Sequence, residues 1–249
     1  MNLLTVFIFV LIIVLIYAVY KLLTKTTTTV SGFSDASKQL VVPSQKSNAN
    51  YSVWIYVDAW KNTAGANEYK KNILTRTGTV YTTNSNTTGT APIYLLHLDN
   101  ANNWLHLRIA LNDGTSTKAT TYHTCTIKNI KLQKWVNITM SIYGNTVDLY
   151  LDGKLVKTCV LTAMPVGTLN TDLYVGGTMT TTGPIASSGG DLVGYISNVL
   201  YKNDYFTPED AWDIYSAGYG GAGMFDFANR YKLNFSITKE NQTMTQFSF

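Results

Sequence analysis

The chain is poor in the residues on which most catalysts and nucleic-acid binders depend. Only 14% of its 249 residues are charged, well below the usual quarter of a globular sequence. Glutamate occurs three times, as Glu68, Glu209 and Glu240, and no two of these lie in one predicted element. The net charge is +4, yet Lys and Arg never gather into a dense run, so the basic patch that nucleic acid requires is missing. There are two cysteines, Cys125 and Cys159, and neither lies in a metal-type or redox-type cluster. A G-x-S-x-G nucleophile elbow is absent. Thr, Asn and Ser supply the polar surface instead. Against these shortages, 45% of the residues are hydrophobic, with 17 Tyr and 5 Trp, enough for the core of one large β domain or two small ones.

The clearest pattern runs from Lys134 to Val160. Val136, Ile138, Met140 and Ile142 alternate with Trp135, Asn137, Thr139 and Ser141, the period of two that puts apolar side chains on one sheet face. Gly144-Asn145 marks a turn, Thr146 to Leu151 alternates again, and Asp152-Gly153 is the dipeptide of a tight hairpin with positive φ at both positions. Leu155 to Val160 is the return strand. A meander of this kind cannot bury its face alone and needs a second layer. Further strands are expected at Tyr51–Trp60, Asn72–Thr77, Ile93–Asp99, Trp104–Leu111, a Thr-rich stretch ending at Ile127, Asp172–Gly176 and Leu192–Tyr201. Residues 78–90 read as loop with one weak strand, and residues 177–190 as a flexible loop. One helix starts at Thr207-Pro208-Glu209-Asp210, where Thr207 and Asp210 form a capping box and Pro208 fits the first turn; it stops at Gly218. A hairpin, 231–238 with 243–249, closes the chain.

Residues 3–23, LLTVFIFVLIIVLIYAVYKLL, carry Lys21 as their only charge. About 20 such residues span a bilayer, so residues 1–23 are expected to be a single transmembrane helix, with Leu3, Phe7, Leu11 and Leu15 facing lipid and Tyr20 at the interface. The competing reading, a cleaved signal peptide, lacks its basic leading region and its small-residue cleavage site. Lys21 and Lys25 place the main domain on the cytosolic side by the positive-inside rule. Five N-x-S/T sequons, at Asn50, Asn86, Asn137, Asn234 and Asn241, point the other way. Residues 24–44 read as an extended stalk; in the alternative reading Val41-Val42 before Pro43 is a short first strand and the domain boundary falls near residue 30. The expected division is anchor 1–23, stalk 24–44, β domain 45–217, and a Gly-rich segment with terminal hairpin over 218–249.

YSVWIYVDAW, KWVNITMSIYGNTVDLYLDGKLVKT, DLYVGG and GYISNVLYKNDYFTPEDAWDIYSAG follow one another in this order. In these segments the chain resembles the laminin-G-like branch of the concanavalin A-like lectin/glucanase superfamily, over roughly residues 45–217. The resemblance implies an all-β, two-sheet antiparallel jelly-roll sandwich with one short helix. It also opens glycoside hydrolysis, which in retaining β-glucanases of this fold needs paired acids on one strand. No E-x-D-x-E-like strand is present; Asp152 is a turn residue, Asp148 a solvated strand position, and the chain is expected not to be an enzyme. A laminin-G-like calcium site would use loop oxygens, and no spacing locates one, so no cofactor is assigned. The anchor, low charge and Asn/Thr-rich surface also resemble membrane-tethered proteins of large DNA virus particles.

If residues 100–103 close a hairpin, Asp99 lies opposite Trp104 and His97 opposite His106, with Arg108 further along the same face. Such a face can be an ordinary solvated surface, a sugar or partner site with Trp104 as a stacking platform, or a transition-metal site. Cys125 and Cys159 are either partly buried free thiols or one disulfide closing a loop worth ~3–4 kcal/mol. The leading expectation is a non-enzymatic, single-pass membrane protein that docks other proteins, linking a virion's internal membrane to its capsid with the domain on the capsid side. The alternative is a carbohydrate-binding module displayed on a membrane or particle surface.

Overall fold

The computed structural model describes residues 9, 11–17, 27–45, 50–63, 69–81, 88–112, 121–166, 171–180, 183–184, 190–202, 204–220, 234–239 and 242–248. The strands in chain order are β1 (Thr27–Asp35), β2 (Leu40–Gln45), β3 (Asn50–Ala59), β4 (Asn72–Tyr81), β5 (Thr88–Leu98), β6 (Leu105–Asn112) and β7 (Thr121–Ile127). They continue with β8 (Trp135–Tyr143), β9 (Thr146–Leu151), β10 (Lys154–Val160), β11 (Met164–Pro165), β12 (Thr171–Val175) and β13 (Met179–Thr180). The last are β14 (Gly183–Pro184), β15 (Val193–Lys202), β16 (Asn234–Lys239) and β17 (Gln242–Ser248), and helix α1 (Pro208–Ala217) follows β15.

Two antiparallel sheets form a jelly-roll sandwich. The first has the order β1-β15-β3-β8-β9-β10, and the second β11-β6-β5-β4-β12-β2 with β7 beside β6. Alternation decides which side chains lie between them. Val53, Ile55 and Val57 of β3, Val136, Ile138 and Met140 of β8, and Val147 and Leu149 of β9 are all buried, as are Leu105, Leu107 and Ile109 of β6. The expected meander is present, with Gly144 and both residues of Asp152-Gly153 at positive φ. Gly153 also lies against α1: a Cβ there would meet the Tyr215 Cβ at 3.0 Å and the Trp212 Cα at 3.1 Å.

The other face of β8 is buried too. Asn137, Thr139 and Ser141 are 0–5% exposed, because the segment leading into α1 lies over them. Ser141 exchanges hydrogen bonds with the Phe206 backbone, and Ser52 accepts from Asn137 Nδ2 at 3.0 Å and Thr139 Oγ1 at 2.8 Å. Two of the five sequons are thereby used up structurally, since the Asn50 side chain is also buried and accepts from the Ile142 amide.

Residues 24–44 are not a stalk from residue 27 onward. β1 pairs with β15 at the edge of the first sheet, and β2 pairs with β12 at the edge of the second. The domain therefore begins before residue 45. Residues 177–190 also contain structure, the short β13–β14 pair, and the terminal hairpin forms as β16–β17. Of the expected anchor residues, Leu3, Phe7 and Tyr20 lie outside the described residues. Residues 11–17 are helical, with Leu11 and Leu15 exposed. Among the described residues no helix is long and apolar enough to cross a membrane.

Candidate functional site

The hairpin β5–β6 brings the five expected residues onto the outer face of the second sheet or the turn at its end. The Asp99 amide donates to the Trp104 carbonyl at 2.8 Å, and His97 pairs with His106 across the ladder, their rings 5.3 Å apart. Asp99 does two jobs. Its Oδ1 accepts from the Ala101 and Asn102 amides at 2.8 and 2.7 Å, which folds the turn. Its Oδ2 lies 3.5 Å from His106 Nε2. Burial pushes the Asp99 carboxyl up, but the two amides and His106 outweigh it and hold the pKa below the usual value. His106 is fixed from its other side by Thr126 Oγ1, 2.8 Å from Nδ1.

Trp104 stands edge-on to His106 at 6.4 Å, with the Lys128 ammonium 4.7 Å above its ring. Arg108 donates to the Tyr69 hydroxyl, and its guanidinium lies 4.0 Å from the Tyr122 ring and 5.8 Å from that of Tyr69. Pro92 and Leu95 complete a small cleft around it. The ladder thus unites His97, Asp99, Trp104 and His106, while Arg108 belongs to an adjoining aromatic cleft.

His97 is the most enclosed of the group. Burial lowers its pKa to about 4, opposed by the Leu98 carbonyl and Asp99 and aided by His106 and Arg108; its imidazole is neutral at neutral pH. Among the described residues, the three His, Cys or carboxylate side chains whose ligand atoms converge are a different set, His123, Cys125 and Cys159.

Sequence reasoning missed Lys71, Tyr69, Tyr122 and Lys128. Lys71 is 1% exposed, and its ammonium donates to the Asn100 carbonyl at 2.7 Å, clamping the hairpin turn from below. Burial lowers its pKa. Nothing local marks a lysine for burial. Tyr122 was within reach, because it alternates with Thr124 and Thr126 on one strand face. A second aromatic group covers the first sheet. Trp135 and Tyr219 stack at 4.7 Å with a 9° interplanar angle, and Phe33 and Tyr195 stay exposed beside them. Its two best platforms already face each other.

Of the carboxylates weighed for catalysis, Glu68 and Glu240 lie outside the described residues, and the others do not form a pair. Asp148 accepts from Thr158 at 2.6 Å, Asp152 accepts from the Asn137 amide and lies 3.2 Å from Lys131, and Glu209 is exposed in the first turn of α1. Cys125 and Cys159 form a disulfide, with Cα atoms 6.3 Å apart.

Fold and family agree. The chain belongs to the concanavalin A-like lectin/glucanases superfamily, whose laminin-G-like model matches residues 34–211. Among solved structures it is similar to the botulinum neurotoxin serotype D ligand-binding domain in complex with N-acetylneuraminic acid (14% identity, 78% of this chain, 47% of that one, TM-score 0.50). It is also similar to the receptor-binding domain of the botulinum neurotoxin C/D mosaic serotype (14%, 78% and 47%, TM-score 0.49). A third likeness is to a Trypanosoma rangeli sialidase mutant (12%, 68% and 22%, TM-score 0.43). The chain thus spans less than half the length of these structures. A search of curated proteins finds no match.

Proposed function

We propose that the chain is a lectin-like module that binds glycans carrying an acidic sugar, displayed on a membrane or particle surface by its N-terminal apolar segment. One observation carries this reading: the outer face of the second sheet sets Trp104 beside the Asp99–His106 pair, next to a guanidinium between two phenol rings. Sugars stack their C–H faces on aromatic rings and hydrogen-bond their hydroxyls to carboxylate and imidazole, the mix of apolar surface and few polar groups typical of ligand sites. A guanidinium adds charge-assisted bonds to a carboxylate. That a structure of similar fold holds N-acetylneuraminic acid supports the sugar class. We rank this reading above capsid docking because these are the groups that read a sugar.

The test is a glycan array probed with the full chain in detergent. Retention on acidic glycans is expected, with Trp104→Ala weakening it roughly tenfold, Arg108→Gln removing the preference for acidic over neutral sugars, and Tyr195→Ala leaving binding unchanged. Absence of retention, or a Trp104→Ala chain that binds as well as the parent, would overturn the proposal.

A further inference from the structure

The two sheets have free edges on the same side of the sandwich, β7 in the second and β10 in the first, and Cys125 and Cys159 join them. Two residues before Cys125, on the same strand face, stands His123. The ligand atoms of these three side chains lie within 4.8 Å of one another. Cys125 and Cys159 are 1% and 7% exposed, while His123 is half-buried. A groove of about 460 Å³ runs over them, lined also by Lys128 and Lys157.

We propose that, with the disulfide reduced, His123, Cys125 and Cys159 bind one zinc ion. Two thiolates and an imidazole are ligands zinc favours, and three protein ligands leave its fourth position for water, which the open groove can supply. Zn–S and Zn–N bonds of ordinary length put such ligand atoms about 3.5–3.8 Å apart, so once reduced the two sulfurs part to that spacing while the imidazole nitrogen starts within 4.8 Å of them. Period two places His123 and Cys125 side by side on β7, and the third ligand comes from the facing sheet. The ion would therefore bridge the same two edges as the disulfide. Two thiolates would neutralise the ion's charge.

The chemistry balances with a small-molecule thiol as reductant. The S–S bond breaks, each protein sulfur gains one electron and one proton, and two reductant thiols become one disulfide. Zinc then displaces the two thiol protons to water while His123 donates a nitrogen lone pair. In a compartment that keeps thiols reduced, the zinc form is the resident one; in an oxidising compartment it is the disulfide.

The experiment uses the untagged full chain, reduced and kept anaerobic, titrated with cobalt(II) as a spectroscopic substitute and then with zinc. Expected are thiolate-to-cobalt charge-transfer absorption saturating at one equivalent, its displacement by zinc, and no such band from the oxidised chain. His123→Ala and Cys159→Ser should each weaken zinc affinity by at least the about 10- to 100-fold that even outer partners of a metal site contribute. Circular dichroism checks that the variants fold. The wild-type comparison of reduced with oxidised protein decides the case should a variant unfold. No charge-transfer band in the reduced chain, equal binding by the oxidised chain, or unchanged affinity in folded His123→Ala would each overturn the proposal.

Discussion

His97 shows how one largely enclosed side chain sets a pH response. Its pKa in the fold, about 4, lies below the ordinary value near ~6.5. Between these two values the unfolded chain binds a proton that the folded chain refuses, so stability is full above ~6.5 and is lost as pH falls toward ~4. The loss amounts to about 3 kcal/mol at most. His97→Gln should flatten this limb, seen as a smaller change in urea midpoint between ~pH 7.5 and ~pH 4.5 than the parent shows; an equal change would rule out His97 as its source. Much of this neighbourhood was legible. Four residues between two alternating runs fix the register, and the register alone puts His97 opposite His106 and Asp99 opposite Trp104. The buried Lys71 under the turn was not legible, because its carbonyl partners are far from it in sequence. Arg108 was placed on the right face, but its phenol neighbours come from Tyr69, outside the hairpin, and from Tyr122 of the next strand.

At the scale of elements, α1 was readable to the residue because its signals are local. The Thr207 hydroxyl accepts from the Asp210 amide at 3.1 Å, and Asp210 accepts from the Thr207 amide at 2.8 Å. Lys202 adds an ion pair to Asp210 at 2.7 Å. Thr207→Ala should cost about 1 kcal/mol of unfolding free energy in urea titration, with Thr207→Ser recovering most of it. No loss on Thr207→Ala would mean that the cap is not what fixes this end. β1 was misread for an equally physical reason. Its pairing with β15 shifts register between Thr28 and Val30 and again between Val30 and Phe33, and each bulge resets the alternation by which a strand is recognised. β2 holds Pro43, which weakens the strand signal and is tolerated on an edge, where β2 lies.

At the scale of the molecule, the alternating runs announced a sandwich, but no run announced which strands would be its edges. That is why the chain enters the fold at Thr27, ahead of the expected start at residue 45 and close to the alternative boundary near residue 30. An apolar segment directly before an edge strand leaves little spacer, so a membrane holding residues 3–23 would hold the domain close to its surface. Full-length protein in vesicles should resist carbonate extraction, and a chain starting at Thr27 should not. In sealed vesicles with the cytosolic face outward, the displayed domain should be protected from protease. Extraction of the full-length chain would rule out the anchor, and a protease-accessible domain would put it on the cytosolic side.

The backbone passes between the two sheets repeatedly, from β1 to β2, β2 to β3, β3 to β4, β7 to β8, β10 to β11 and again on the way from β12 to β15. Cys125 and Cys159 add one further join, between the edge strands β7 and β10. Because the connections leaving those same two strands also cross, the layers are stitched by the chain at several seams. Undoing the sulfur bond would loosen one corner of the fabric and leave the two layers together.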